Sequence, residues 1–248
     1  MNPILSIKNL RKIYHTKDRE ILAVDDFSFD LYEKQFISIV GPSGCGKSTI
    51  LSILCDLEKK SGGTVTLKEG YTLGYMLQKD ALFEWLTILD NCLLGLKIRK
   101  QLTKENKEYV IHLLKTYGLY EFKDAYPSNL SGGMRQRAAL IRTLATRPDI
   151  LLLDEPFSAL DYQTRLAVSD DVYNILKKEK KSAIMVSHDI SEAISLSDKV
   201  IILSGRPGRI KKIVDINLSN KKNPIENRKA KEFSSYYDLI WKEIDFHV

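Results

Sequence analysis

A chain of 248 residues that is 44% hydrophobic and 28% charged can fold as one α/β domain with a sizeable core, and its balance excludes fibrous and disordered classes. Its formal net charge of +6 suits a polyanionic ligand, a nucleic acid or an anionic membrane surface without choosing among them. Three cysteines, Cys45, Cys55 and Cys92, are too few for a disulfide framework and point to a reducing compartment, while the first residues lack the apolar run of a secretory leader and no run approaches the roughly 20 residues that span a bilayer.

In chain order, Leu5 and Ile7, then Phe27, Phe29 and Leu31, alternate as half-buried strands do. Phe36 to Val40 is a continuous apolar run, as in a buried strand, and the spacing of Ile50, Leu51, Ile53, Leu54 and Leu57 predicts a helix over Thr49 to Leu57. Ser61, Gly62 and Gly63 read as a turn before a strand-like TVTL. From Thr87 to about Ala145 the pattern is helical: Val110, Ile111, Leu113, Leu114 and Tyr117 mark one face and Gly118 stops it. Pro127 breaks the chain and a new helix begins near Ser131. Ile150 to Leu153, Ala183 to Val186 and Lys199 to Leu203 read as further buried strands, with Asp161 capping a helix that ends in the lysines from Lys177 to Lys181. Strands alternating with helices imply a mostly parallel sheet with helices on its faces. Beyond a basic, polar segment from Lys221 to Lys231, the residues Phe233, Tyr236, Tyr237, Ile240, Trp241 and Ile244 are expected on one helical face.

The chemistry is concentrated where strands end. Gly41, Pro42, Ser43, Gly44, Cys45, Gly46, Lys47 and Ser48 fit the P-loop pattern, followed by Thr49 at the helix start. Glycines let successive backbone N–H groups turn toward phosphate oxygens, the helix adds its positive end, Lys47 reaches the β- and γ-phosphates and Ser48 offers a hydroxyl to Mg²⁺. Cys45 occupies a variable position of the pattern and reads as a small loop residue. The strand at Ile150 ends in Asp154 and Glu155. A P-loop needs an acid on a neighbouring strand to hold Mg²⁺, which suits Asp154, and Glu155 stands where a carboxylate can polarise an attacking water. Ser131, Gly132 and Gly133 open a helix with a capping hydroxyl and exposed N–H groups, a second anion-binding end.

The string from Leu130 to Arg137, LSGGMRQR, resembles the signature of ABC ATPases, with Met134 in place of the usual glutamine. The resemblance runs from Leu5 to about Leu218 and implies an α/β P-loop NTPase core with a mostly parallel sheet, an antiparallel β subdomain and an inserted helical subdomain at about 87–146, followed by a basic linker and an amphipathic helix over 219–248. It further implies that Tyr14 stacks on adenine, Gln78 contacts Mg²⁺ and the attacking water, Asp161 lies at the dimer seam and His188 contacts the γ-phosphate. The signature of one subunit would complete the ATP site of another. Gln35 and Asp56 depart from the pattern, standing where relatives carry glycine. His15, His112 and His247 have no such context.

GPSGCGKST, the segment from Gln78 to Asn91, and LSGRPGRI look like the nitrate, sulfonate and taurine branch of import ATPases, which is also similar to transporters of thiamine precursors. That implies a peripheral subunit at the cytoplasmic face of the membrane, with a second copy or a homologous ATPase subunit, permease subunits and a substrate-binding protein as partners. The alternative is a soluble ABC ATPase in nucleic-acid or translation processes. Gly205 to Lys231 carries nine Lys/Arg against two acids, but it lacks interleaved aromatics, which favours a solvated surface near the membrane, so no nucleic acid is expected. Phe83, in the loop after Gln78, is expected on a surface that receives a permease helix.

Overall fold

The computed structural model describes residues 2–158, 160–219 and 221–244. Among the described residues nine strands form two sheets. β1 (Leu5–His15), β2 (Glu20–Leu31) and β4 (Gly62–Leu67) make a three-stranded sheet in the order β2-β1-β4, with both pairings antiparallel. The larger sheet has the order β5-β6-β7-β3-β8-β9, built from β3 (Phe36–Val40), β5 (Leu73–Met76), β6 (Ile150–Asp154), β7 (Ser182–Val186), β8 (Lys199–Leu203) and β9 (Ile210–Asp215). Its neighbours are parallel except for the antiparallel pair β8–β9.

The apolar runs of β3, β6 and β7 are continuous because both faces of this sheet are covered. Ile150, Leu152, Ile184 and Val186 pack with β1, β2 and α1 (Lys47–Leu54) in one core. Leu151, Leu153, Ala183 and Met185 point the other way, into a second core. That core is shared with α2 (Ile88–Ile98), α3 (Lys104–Thr116), α4 (Gly132–Ala145) and α5 (Tyr162–Lys178). Each of these helices starts at a side-chain cap: Thr87, Thr103, Ser131 and Asp161 each accept from a backbone N–H of the first turn, meeting donors that a helix end leaves unpaired. Gly118 follows α3 at φ +66°, a left-handed stop suited to glycine.

Several sequence expectations need correction. Gly62 and Gly63 belong to β4 rather than to a turn. A Cβ on Gly63 would stand 2.3 Å from the Asn9 carbonyl, so the glycine serves a close strand crossing where the β1–β4 register shifts. α1 runs from Lys47 to Leu54 and stops short of Leu57, because Asp56 takes φ +56°. Asp56 thus adopts the left-handed conformation for which glycine is better suited. Within the stretch read as a solvated basic surface, β9 is tied into the sheet although Lys211, Lys212 and Ile213 stay exposed. The segment at Lys221 is tied down as well: the Lys221 ammonium donates to Ser197 O and Asp198, each at 2.7 Å, and Asn227 at the end of α7 (Pro224–Asn227) is buried and donates to Ser195 O at 2.8 Å. In α8 (Phe233–Glu243), Ile240 is buried with Ile244 just beyond, and Phe233, Tyr236 and Tyr237 pack on the same cluster. Trp241 turns outward, half exposed, and stacks on Tyr237 at 6.0 Å. One residue of helix rotates a side chain by about 100°, which takes Trp241 off the face that Ile240 occupies.

Candidate functional site

Because β3, β6 and β7 run parallel in close register, their C-terminal ends share one edge: Asp154 lies opposite Val186, and Ile39 also pairs with Val186. Loops leaving such an edge converge, and ligands of open α/β sheets bind there. Here they are the Gly41–Ser48 loop, Asp154 with Glu155, and Ser187 with His188.

The loop between β3 and α1 curls through Gly44 at φ +73° and Gly46 at φ +102°. A Cβ on Gly46 would stand 2.9 Å from Ala23 O, so glycine is required there both for conformation and for space. Gly46 is the N-cap of α1 and makes no side-chain cap bond, which leaves the first-turn N–H groups facing the loop. Lys47 is buried and its ammonium donates to Gly41 O at 2.8 Å and Pro42 O at 2.9 Å. Cys45 is buried as well, and burial pushes its thiol pKa up, which fits a packing residue rather than a reactive thiolate.

Asp154 is buried at the tip of β6. Ser48 Oγ donates to its Oδ1 at 3.0 Å and the Tyr75 hydroxyl to its Oδ2 at 3.2 Å. Burial raises the Asp154 pKa, and those two hydrogen bonds work against the rise. Tyr75 stands on β5, three residues before Gln78. Strand alternation marks it as a sheet residue, and nothing in the local sequence marks its hydroxyl as a partner of Asp154.

Glu155 holds the next position at φ +47°, a left-handed conformation that costs a branched or long residue about 1–2 kcal/mol. Its N–H donates to Val186 O at 2.9 Å. Its Oε2 accepts from Gln78 Nε2 at 3.0 Å and lies 3.2 Å from His188 Nδ1. Residues just past the ends of β5, β6 and β7 therefore meet on one carboxylate oxygen. Behind His188, Ser187 Oγ donates to the buried Glu192 at 2.7 Å. Asp189 caps α6 (Ile190–Leu196) through Ser191 N and Glu192 N. Arg165 of α5 reaches Asp189 at 3.4 Å and donates to Leu160 O at 3.1 Å.

A cavity of about 620 Å³ is lined by Tyr14, Ser43, Gly44, Gly46, Lys47, Ser48 and Thr49, and by Gln78, Glu155 and Arg206. The Tyr14 hydroxyl lies 3.4 Å from Thr49 Oγ1, and Lys12 Nζ stands 4.5 Å from the centre of its ring. Ser131, Gly132, Gly133 and Asp161 do not line this cavity. They stand outside its lining: Gly133 packs toward Leu160, Asp161 caps α5, and a Cβ on Gly132 would meet nothing within 4 Å. Ala159 and His247 lie outside the described residues; His15 and His112 are exposed.

The loop after Gln78 is held by a buried amide. Asn91 accepts from Phe83 N at 2.8 Å and donates to the carbonyls of Phe83, Leu86 and Thr87 at 3.0, 3.1 and 3.0 Å. Asp80 accepts from Arg135 at 3.0 Å, and Arg142 donates to Asp80 O and Ala81 O at 2.6 and 2.7 Å. Leu82 points into the core, whereas Phe83 and Trp85 are 37% and 72% exposed with ring centres 5.0 Å apart.

Residues 24–158 match the family model described as ABC transporter. The chain belongs to this family. It is an ABC-type ATPase that binds and hydrolyses ATP. It is 44% identical to the uncharacterized ABC transporter ATP-binding protein YtlC of Bacillus subtilis, over 97% of this chain and 95% of that protein. It is 35% identical to the nitrate import ATP-binding protein NrtD of Synechocystis sp., over 95% and 93% respectively. With the taurine import ATP-binding protein TauB of Rhizobium johnstonii it shares 42% identity over 77% of this chain and 76% of that one. Among solved structures, the ATP-binding cassette MJ0796, in a dimeric post-hydrolysis state bound to ADP and Pi, superposes with a TM-score of 0.76 at 29% identity, over 86% of this chain and 99% of that chain. Among the described residues no helix is long and apolar enough to cross a membrane.

Proposed function

We propose that this ATPase powers an importer. Two copies, or one copy and a homologous ATPase subunit, would close head to tail over two ATP molecules and drive solute uptake through separate permease subunits at the cytoplasmic face of the membrane. The single observation that supports this best is the build of the loop after β5. Its Gln78 amide sits on Glu155, and a few residues later it exposes Phe83 and Trp85. One short segment thus joins the reacting end of the cavity to an apolar surface suited to a partner helix. Relatives named for nitrate and taurine import support a small anion as cargo, nitrate, taurine or another sulfonate, and a thiamine precursor is the alternative cargo. Delivery by a substrate-binding protein belongs to the same reading.

Within that reading, the Gly41–Ser48 loop and Lys47 hold the polyphosphate, Thr49 closes the loop and Tyr14 stacks on adenine. Mg²⁺ fits the donors present: the Ser48 hydroxyl, the buried Asp154 carboxylate and the Gln78 side-chain oxygen are hard ligands. These are fewer ligands than the six of an octahedral ion, and phosphate oxygens and water would supply the rest. Bound there, Mg²⁺ would neutralise charge on the β- and γ-phosphates. Glu155 takes the proton of the water that attacks the γ-phosphorus as the bond to the bridging oxygen breaks, releasing ADP and phosphate. His188 and Gln78 orient that carboxylate. Ser131, Gly132, Gly133 and Asp161 act on the partner's nucleotide.

The test is co-expression of the tagged chain with candidate permease subunits from the same genome, followed by ATP-driven uptake in membrane vesicles. Copurification and uptake of one of these solutes is the expected result. Failure to associate with any permease, together with stimulation of ATPase activity by nucleic acid or ribosomes, would overturn it.

A further inference from the structure

The turn between β8 and β9 has no part in the roles above, yet it forms one wall of the nucleotide cavity. It is locked to the P-loop side of the molecule. Gly208 N donates to Ala23 O at 2.9 Å, and Asp25 N to Gly208 O at 3.2 Å. A Cβ on Gly208 would stand 2.1 Å from Cys45 O, so the turn lies directly on the loop where no side chain fits. Arg209 Nε donates to Asp25 at 3.0 Å. Ser204 Oγ accepts from Arg209 N at 3.1 Å and donates to Pro207 O at 2.9 Å.

From this fixed turn Arg206 reaches over the loop. Its Nε and Nη2 both donate to Gly44 O, at 3.3 and 3.1 Å. Those bonds engage two of the five N–H donors of a guanidinium. The others have no protein partner among the described residues, and the side chain lines the same cavity as Lys47 and Ser48. Among the described residues the only other charged ones of that lining are Lys47, whose ammonium is drawn into the loop carbonyls, and Glu155. We propose that Arg206 is a nucleotide-binding residue: a guanidinium supplied from outside the P-loop to the polyphosphate of ATP. A planar fork with spare donors matches phosphate oxygens, and its anchoring on Gly44 O removes part of the ordering cost of binding.

The proposal rests on reading this cavity as the ATP site, so Lys47→Ala serves as the control for that reading. Affinities for ATP, ADP and adenosine are measured by calorimetry on wild type, Arg206→Gln and Arg206→Lys at low and high salt, with circular dichroism as the folding check. Arg206→Gln is expected to weaken ATP and ADP about tenfold, the scale of one charge-assisted bond, and to leave adenosine within about twofold. Arg206→Lys should recover part of the loss, and the salt dependence of ATP binding should be shallower in Arg206→Gln than in wild type. ATP binding by Arg206→Gln within twofold of wild type, or an unchanged salt dependence, would overturn the proposal. Equal weakening of adenosine and ATP would also overturn it, reducing Arg206 to a buttress of the loop. ATP binding retained by Lys47→Ala would instead overturn the assignment of the site itself.

Discussion

The molecule carries two glycine-bearing helix starts suited to anions, and they are built differently. α1 begins at Gly46 with no side-chain cap, beside a buried lysine, under a cavity whose walls include strand ends and the β8–β9 turn. α4 begins at Ser131, whose hydroxyl accepts from Met134 N at 3.3 Å, and its Gly132 faces open space. The nearby arginines of α4 are drawn inward, Arg135 to Asp80 and Arg137 to Tyr117 O. A helix terminus alone attracts an anion weakly at an exposed surface. The first start has its own charge and enclosure, whereas the second has neither, and in the proposed dimer the other subunit would supply them.

The largest expected effect breaks the enclosed end alone. Glu155→Gln keeps the shape of the side chain and removes its basicity, so turnover should fall by about 10²–10⁴-fold, the worth of a general base, while ATP binding persists. ATP-bound dimers should then accumulate on size-exclusion chromatography with ATP and Mg²⁺. Normal turnover by the variant would take Glu155 out of the reaction.

The next experiment asks whether the open end completes a partner's site. Lys47→Ala and Ser131→Arg are each expected to be inactive. In their heterodimer both defects fall on one composite site and the other is intact. Equal mixing yields half heterodimers, each with one working site, so about a quarter of wild-type activity should return if the sites act independently. Full activity of Ser131→Arg by itself would end the shared-site idea.

Much of this contrast is visible in the sequence, because it depends on short-range patterns. Buried runs at Phe36, Ile150 and Ala183 mark the parallel strands, and the acids or histidine just after them mark the converging edge. What the sequence hides is long-range. No local rule connects Tyr75 to Asp154, or Arg206 to a carbonyl 162 residues earlier. The string SGRPGRI stands out on resemblance alone, and its placement against Cys45 depends on the antiparallel return of β9, a strand whose lysines disguise its alternation. The anchoring of Lys221 was likewise unreadable, since a lysine that meets a carboxylate and a carbonyl looks in sequence like any solvated lysine.

A smaller effect separates function from stability at the enclosed end. The folded pKa of Asp154 is raised, chiefly by burial. The unfolded chain therefore loses this proton first, and stability falls as pH rises from the unfolded value near 3.9 through the folded one. At neutral pH, ionisation of this carboxylate therefore costs the fold stability relative to its protonated form. Asp154→Asn, whose amide can still meet the Ser48 and Tyr75 hydroxyls after they rotate, should melt a few degrees higher without nucleotide. The difference should shrink below about pH 4. Mg²⁺ with ATP should reverse the order by stabilising the wild type more. A lower melting temperature for Asp154→Asn in nucleotide-free protein at neutral pH would show that its hydrogen bonds outweigh its burial.

The smallest effect on the isolated subunit belongs to the segment that joins the two ends. Gln78 bonds Glu155 on one side, and Asp80 and Ala81 are held by Arg135 and Arg142 of α4 on the other. Phe83 follows, and its backbone is fixed by Asn91 through both N–H and C=O, so its ring is not what positions the loop. Replacing the ring forfeits its contact with Trp85, worth about 0.5–1.5 kcal/mol for an aromatic pair, and the part of its surface that is covered. Phe83→Asp should therefore stay folded and bind ATP as the wild type does. If the exposed pair seats a permease helix, a charge in that groove would meet an apolar surface without a counter-ion, and assembly should fail. A pull-down of tagged permease co-expressed with wild type or variant measures this, with circular dichroism as the folding control. Equal recovery of both would remove Phe83 from the interface, and an unfolded variant would show that its ring supports the core after all.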